Sequence, residues 1–232
     1  VVLMSSGSPV DMSEFASEAK ALIQTSYNGM EGGLALAEVI FGDVNPSGKL
    51  AVTIPVKLED SPAHSIGEFP GGKEVRYDED VFVGYRHFAT RNVKPLFAFG
   101  HGLSYTTFTI SDLQMEALSQ AGKVEEEADL EKPAVKVSVK VTNTGSVAGA
   151  EVVQCYVSDT ECSVERPVKE LKAFGKVFLE PGETKTVEMF VNNRGLAFYD
   201  VESKAFVVEE GEFGFHVGNS SDKIIESTKI FL

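Results

Sequence analysis

Several short segments in the second half of the chain alternate strictly between apolar and polar residues. In VKVSVKV, the valines from Val135 to Val141 fall on one face, whereas Lys136, Ser138 and Lys140 fall on the other, as in a strand with one buried face. The segments EVVQCYV, KTVEMFV and EFGFHV repeat this scheme. About seven such strands over residues 105–232 predict an antiparallel β-sandwich of immunoglobulin-like architecture.

The turn sequences and the cysteines agree with a sandwich. In EPGE, Pro181 presets φ and Gly182 supplies a positive φ, which predicts a type II turn. Cys155 alternates with apolar neighbours, so we expect a buried free thiol there; a local disulfide with Cys162 is the alternative.

The first 55 residues have an α/β pattern. VVLM and ALIQTSY are short apolar runs that predict strands, the first of them buried on both faces. EGGLALAEVIFG places Leu34, Ala37 and Ile40 at helical spacing, with Gly42 as a C-terminal stop. Two strands and one helix are too little for a domain. We therefore expect residues 1–55 to be an α/β remnant, the end of a domain in a longer polypeptide.

Residues 56–104 show no sustained period and are rich in proline, glycine and aromatic residues, which predicts an ordered connection between domains. Its last part runs into PLFAFGHGLSYTTF, where Gly100 and Gly102 permit unusual backbone geometry. Phe97 and Phe99 supply apolar area to bury. We interpret this stretch as a joint that holds the sandwich against the rest of the protein.

Charge and hydropathy exclude some partners. The chain carries 21 basic and 35 acidic residues, a net charge of −14, which repels phosphate backbones and anionic lipid headgroups. We therefore expect neither nucleic acid nor a membrane as a partner. The first residues lack the features of a signal peptide, and the compartment, secreted or cytoplasmic, stays open.

The sequence contains no recognisable catalytic or metal-binding motif. The four histidines have no ligand spacing, and no serine or cysteine sits in a nucleophile elbow, so we predict no metal, no cofactor and no catalytic residue. In RYDED, an extended backbone would hold Asp78 and Asp80 about 7 Å apart, but a charged run of this kind is typical of an exposed face.

Four residues of the connection could contact a sugar, because guanidinium and phenol groups suit hydroxyl recognition. They are Arg76, Tyr77, Tyr85 and Arg86; packing between domains is the alternative role. The sequon at Asn219 predicts glycosylation only if the protein is secreted.

Six longer motifs follow one another along the chain: GSPVD, YNGMEGGLALAEVIFGDVNPSGKLAVTIP, VRYDEDVFVGYRHF, FAFGHGLSYTTF, VTNTGSVAGAEVVQCYVSD and RPVKELKAFGKVFLEPGETKTV. Taken in this order, they resemble the C-terminal part of glycoside hydrolase family 3 enzymes, a group with many β-glucosidases. The resemblance covers nearly the whole chain. It implies a TIM-like barrel, then an α/β-sandwich domain, then a fibronectin type III-like sandwich, with this chain supplying the end of the second and all of the third.

The resemblance also implies where catalysis takes place. Retaining members need a nucleophile and an acid/base carboxyl about 5 Å apart, and the family places the Asp in the barrel and the Glu upstream of residues 1–10. Neither has a matching position here, so this chain alone is predicted to be inactive, with the upstream domains as partners and a β-glucoside as substrate of the whole. The absence of tryptophan and the insertion GKVEEEADLEK leave glucosides, xylosides and other β-glycosides open.

Two other functions remain compatible with the sequence. The sandwich could be a stand-alone carbohydrate- or protein-binding module, or the chain could be half of a split glycosidase that assembles with a separate barrel chain. The first alternative leaves NPSGKLAVTIP and FGHGLSYTTF without a partner to join.

Overall fold

The structure, a computed structural model, describes residues 1–67, 69–119, 122–124 and 126–232. The chain forms two compact units, Val1–Leu103 with Ser220–Asp222, and Ser104–Asn219 with Lys223–Leu232. The helices are α1 (Gly32–Phe41), α2 (Pro62–Ser65), α3 (Tyr85–Thr90), α4 (Glu127–Leu130) and α5 (Asn193–Leu196), with a 3₁₀ turn at Leu58–Asp60. The strands are β1 (Val2–Met4), β2 (Leu22–Gln24), β3 (Phe108–Ala117), β4 (Gly122–Lys123), β5 (Pro133–Asn143), β6 (Gly149–Asp159), β7 (Glu170–Leu179), β8 (Thr184–Asn192), β9 (Phe198–Asp200), β10 (Ala205–Val208), β11 (Glu212–Gly218) and β12 (Ile224–Phe231).

The first unit contains the predicted α/β elements. β1 and β2 pair in parallel, and α1 ends where the glycine predicts it. Gly42 adopts a left-handed φ of 88°, and its N–H donates to the Glu38 carbonyl, which satisfies an otherwise unpaired group at the helix end. The predicted helix is confirmed.

The burial of β1 differs from the expectation. Met4 packs with Met12 and Ile54 in a small core, but Leu3, which points to the opposite face, is exposed. The expectation of a strand buried on both faces is therefore wrong for this structure, because only one face of the two-stranded sheet is covered.

Helix α1 presents a large apolar surface to solvent. Leu34 is 59% exposed and Phe41 is 83% exposed, and Met30 just before the helix is almost fully exposed. Burying a Leu, Phe or Met side chain completely gains about 1.5–3 kcal/mol relative to leaving it in water. Each of these exposed residues forgoes most of that stabilisation.

Two distant segments of the first unit pair as an antiparallel ladder. The Leu50 N–H donates to the His101 carbonyl at 2.8 Å, and the Ile54 N–H donates to the Phe97 carbonyl at 2.9 Å. Gly100 lies in this ladder with φ +80°, and a Cβ on Gly102 would collide with the Gly48 carbonyl oxygen. The backbone geometry thus requires both glycines. That this stretch holds the sandwich against the rest of the protein remains a prediction.

The second unit is the predicted β-sandwich. Its two large antiparallel sheets have the strand orders β12-β11-β6-β7 and β3-β5-β8, and a small sheet has the order β4-β10-β9. The alternating valines of β5 are fully buried against residues of β6 and β11, including Val153 and Phe215. The predicted fold class, an α/β remnant followed by an immunoglobulin- or fibronectin type III-like sandwich, is confirmed.

The predicted turn and thiol are found in this unit. Gly182 has φ +77°, and the Glu183 N–H closes the turn on the Glu180 carbonyl at 2.9 Å. Cys155 is buried in the core and both cysteines are free thiols. Burial raises the pKa of the Cys155 thiol to about 12, because the thiolate is poorly solvated there.

We predict that Cys155 resists alkylation in the folded protein. At about pH 8, iodoacetamide should label the less buried Cys162 first, and Cys155 only after unfolding, since the thiolate is the reactive form. Folding raises the pKa of the Cys155 thiol, because only the neutral thiol is well accommodated in the core. The stability that the buried thiol contributes is therefore complete below about pH 8.5, the pKa of an unfolded cysteine. It is lost as the pH rises toward about 12. Peptide mass spectrometry measures both rates; equal labelling of the two thiols in native protein would contradict burial.

Candidate functional site

A cavity in the first unit has a volume of about 540 Å³, within the range of small-molecule sites. We call it the Tyr85 cavity. It is lined by Pro9, Ala51, Val52, Thr53, Pro55, Ser61, Pro62, Val83, Gly84, Tyr85, Arg86, Phe88 and Phe99. The lining is mostly apolar and contains neither Asp nor Glu, so these residues offer no carboxyl pair for acid/base catalysis.

Local backbone features bring the aromatic side chains together. Gly84 precedes α3 with φ +52°, a left-handed conformation that turns the chain sharply into the helix. Tyr85 at the start of α3 stacks on Phe99, with ring centroids 4.8 Å apart and the planes 30° apart. The ladder that holds the Phe97 region next to Ile54 therefore sets the position of one of the two rings.

One polar group in this cavity is buried without a partner. Thr53 is only 7% exposed, and among the described residues its Oγ1 has no hydrogen-bond partner. Such a group costs about 1–3 kcal/mol unless water or a ligand satisfies it. The cavity thus combines an aromatic pair, the Arg86 side chain and one unused hydroxyl, an arrangement that suits a neutral ligand with one apolar face.

The second cavity, of about 340 Å³, lies in the same unit and has a different chemistry. We call it the His87 cavity. It is lined by Glu59, Asp60, Ser65, Ile66, Asp78, Glu79, Phe82, His87, Arg91 and Val93. Carboxylates outnumber the one guanidinium, and the Arg91 guanidinium carbon lies 4.8 Å from the centre of the Phe82 ring, a cation–π contact.

His87 is the most deeply buried ionisable residue of that lining. It is 5% exposed, and burial lowers the pKa of its imidazole, with a further lowering by the Arg91 charge and a smaller opposing effect of a hydrogen bond to the Asp60 backbone. Its Nε2 and the Glu79 Oε2 are buried with no hydrogen-bond partner in the described part of the chain.

The structure separates the four predicted sugar-contact residues into two pairs. Tyr85 and Arg86 line the Tyr85 cavity. Arg76 and Tyr77 lie in the preceding loop, where Tyr77 is 82% exposed, and neither lines either cavity. The sugar-contact role remains a prediction.

The aspartates of RYDED do not form a carboxylate pair on a strand. Residues 78–81 form a turn in which Asp80 has φ +49° and its N–H donates to the Tyr77 carbonyl. Asp78 contributes to the lining of the His87 cavity. The extended geometry considered for this segment is therefore absent.

The Nδ2 of Asn219 donates to Glu151 Oε2 at 3.2 Å, so a glycan on Asn219, still a prediction, would require this bond to open. In the ranges that the structure describes, no group of three or more His, Cys, Asp or Glu could hold a metal ion. No helix in those ranges is long and apolar enough to cross a bilayer.

Sequence reasoning missed the residues that distinguish the two cavities. Thr53, Glu79 and His87 carry the unpartnered buried atoms, but no spacing rule marks them. The sequence marks these residues only by their location, since each lies within one of the motifs that carry the family resemblance.

Comparison with known proteins identifies both halves of the chain. Residues 1–105 match the family model for the glycosyl hydrolase family 3 C-terminal domain, and residues 151–221 match that for the fibronectin type III-like domain. Thermostable beta-glucosidase B of Acetivibrio thermocellus is 46% identical to 99% of this chain, which covers 29% of that protein.

Solved structures give the same result. Beta-D-glucoside glucohydrolase of Trichoderma reesei superimposes with a TM-score of 0.93 at 32% identity, over 99% of this chain and 33% of that one. The GH3 beta-glucosidase of Bifidobacterium adolescentis has a TM-score of 0.89 at 38% identity, over 100% of this chain and 32% of that one. This chain thus spans about a third or less of the length of these relatives.

We predict that Thr53→Val leaves the ligand-free protein as stable as before or about 1 kcal/mol more stable, because it removes an unsatisfied buried hydroxyl. The matched control is Thr106→Val, since the equally buried Thr106 donates to Asn143 Oδ1 at 2.7 Å. That change should destabilise the protein by about 0.5–1.5 kcal/mol, the net value of one hydrogen bond, because Asn143 Oδ1 still accepts from the Gly145 N–H. Denaturant unfolding measures both; a larger loss for Thr53→Val than for Thr106→Val would contradict the assignment.

Proposed function

Because the chain belongs to glycoside hydrolase family 3, as its C-terminal domain followed by a fibronectin type III-like domain, we propose that it acts within a retaining β-glucosidase. The reaction is hydrolysis of terminal β-D-glucosyl residues. In this proposal the nucleophile Asp and the acid/base Glu belong to a preceding barrel and α/β portion of the same polypeptide, and this chain stabilises and orients them.

The exposed face of α1 carries the proposal. Leu34 and Phe41 project from a helix of an α/β unit whose described residues contain two strands, β1 and β2. Exposed apolar surface of this kind marks an interface. The remainder of an α/β domain is the partner that the relatives supply, since each is about three times as long as this chain.

The proposal also assigns a role to each segment. Residues 1–55 complete the α/β domain, residues 56–104 connect it to the sandwich, and residues 105–232 form the sandwich. A stand-alone binding module is the alternative; saturable retention of residues 105–232 on insoluble glucan would favour it. A split glycosidase would be favoured by co-purification of a separate barrel chain.

A second, finer proposal concerns substrate contact. We propose that Tyr85 and Arg86 contact a sugar at the Tyr85 cavity, with Arg76 and Tyr77 reaching it from the exposed loop. The support is the aromatic pair of Tyr85 and Phe99 beside the unused Thr53 hydroxyl, since ligand sites combine apolar walls with a few polar groups.

The activity proposal predicts that the natural protein containing this chain hydrolyses 4-nitrophenyl β-D-glucoside, whereas the 232-residue chain alone does not. Release of nitrophenol measures both. Turnover by the purified 232-residue chain would overturn the assignment of catalysis to other domains, and failure of the natural protein on every aryl β-glycoside would overturn the glycosidase assignment.

Placing a charge on α1 tests whether another part of the natural protein covers this helix. In the natural protein Leu34→Glu should lower the melting temperature by several degrees, because about 1–3 kcal/mol is lost when a covered apolar contact receives a charge. Leu118→Glu, the same change at an exposed position of the sandwich, is the control. Equal effects would mean that nothing covers α1.

The sugar-contact proposal predicts that Tyr85→Ala and Arg86→Gln raise KM for an aryl β-glucoside in the natural protein by about tenfold, with little change in kcat, because they remove substrate binding and no reacting group. Arg194→Gln, at an exposed ion pair of the sandwich, is the control. An unchanged KM in both cavity variants would rule out substrate contact at this cavity.

A further inference from the structure

The His87 cavity contains two buried hydrogen-bonding atoms that nothing in the described chain satisfies. These atoms are Nε2 of His87 and Oε2 of Glu79, and both residues line the same cavity of about 340 Å³. Buried polar atoms are almost always paired, with protein groups or with ordered water, so two unpaired ones in one cavity point to a partner outside the described residues.

Both unpaired atoms are hydrogen-bond acceptors. An ionised carboxylate only accepts. Burial and the Arg91 charge lower the pKa of the His87 imidazole, which favours the neutral ring, and the Asp60 backbone acts on it in the opposite direction. Because Nε2 has no partner among the described residues, we assign the proton of the neutral ring to Nδ1, on the side of the Asp60 backbone. A neutral imidazole that donates from Nδ1 offers a lone pair at Nε2. The ligand must therefore present at least two donors.

The charge of the cavity favours a cation. Glu59, Asp60, Asp78 and Glu79 contribute four carboxylates. They are opposed by two cations, the Arg91 guanidinium of the lining and the Lys57 ammonium 4.0 Å from Asp60, so an excess of negative charge remains. A neutral polyol could donate two hydrogen bonds, but it would leave this excess negative charge uncompensated in a partly desolvated site. A bare metal ion is disfavoured, because no group of three or more ligating side chains occurs in the described ranges.

We propose that the His87 cavity binds an organic cation that carries two or more N–H donors, a guanidinium or a primary ammonium group. One N–H donates to Glu79 Oε2 and another to His87 Nε2, while Ile66 and Val93 contact its carbon atoms. Such a group has two possible sources, a free small amine or guanidine, and an arginine or lysine side chain from a part of the protein outside this chain. The proposal is independent of glycosidase activity.

The first test is a crystal structure of the natural protein grown without amines, before and after soaking in methylguanidinium chloride. An Arg or Lys nitrogen bonded to Glu79 and His87 before soaking identifies the protein as the source. Methylguanidinium density at that position after soaking identifies a free ligand as the source. Water alone at both atoms, in both crystals, would overturn the proposal.

The second test measures affinity by calorimetry with methylguanidinium, using tetramethylammonium as a cation of equal charge without N–H donors. If a protein side chain fills the cavity, that residue is first replaced by Ala. Glu79→Gln should weaken methylguanidinium binding about tenfold or more, the size expected for one charge-assisted hydrogen bond. Asp78→Asn, on the exposed side of the lining, should weaken it about two- to threefold by charge alone.

The matched control is Glu14→Gln, the same change at an exposed glutamate outside both cavities. It should leave the affinity unchanged. Two results would contradict the proposal: tetramethylammonium binding as tightly as methylguanidinium, or equal affinities in the Glu79→Gln and Glu14→Gln proteins.

Discussion

The pairing of Leu50–Ile54 with Leu96–His101 is the interaction on which the first unit depends. Its backbone hydrogen bonds, such as Gly100 N–H to the Leu50 carbonyl at 2.7 Å, close a loop of about forty residues, and closing so long a loop costs only slightly more entropy than closing a short one. Both cavities draw most of their lining from inside that loop. The ladder therefore turns a segment without regular periodicity into an ordered structure with two chemically distinct cavities.

The two cavities illustrate how neighbouring positions on one short helix can serve different chemistry. Tyr85 and Arg86 of α3 line the apolar cavity, whereas His87, the next residue, lines the acidic one. Successive helical residues point about 100° apart, so the sequence YRH places an aromatic ring, a guanidinium and an imidazole in separate directions. The apolar cavity suits a neutral ligand, and the acidic cavity suits a cation.

The sandwich was predictable from sequence because its determinants are local. Alternation in VKVSVKV and the Pro181-Gly182 pair specify a half-buried strand and a turn without reference to distant residues. The cavities were not predictable, because the unpaired state of Thr53, Glu79 and His87 depends on which segments the ladder brings together. The burial of Leu3 was mispredicted for a related reason. An apolar run indicates that both faces of a strand can be buried, but it does not specify which other segment of the protein packs on each face.

We propose that this chain is the C-terminal part of a larger glycoside hydrolase whose preceding portion covers α1. The most direct measurement is the mass of the natural polypeptide, detected in fresh lysate and culture medium with an antibody against the sandwich. We expect a band about three times heavier than the 25.1 kDa of this chain, in proportion to the relatives. A band at 25.1 kDa alone would contradict it and would favour the binding-module and split-enzyme alternatives.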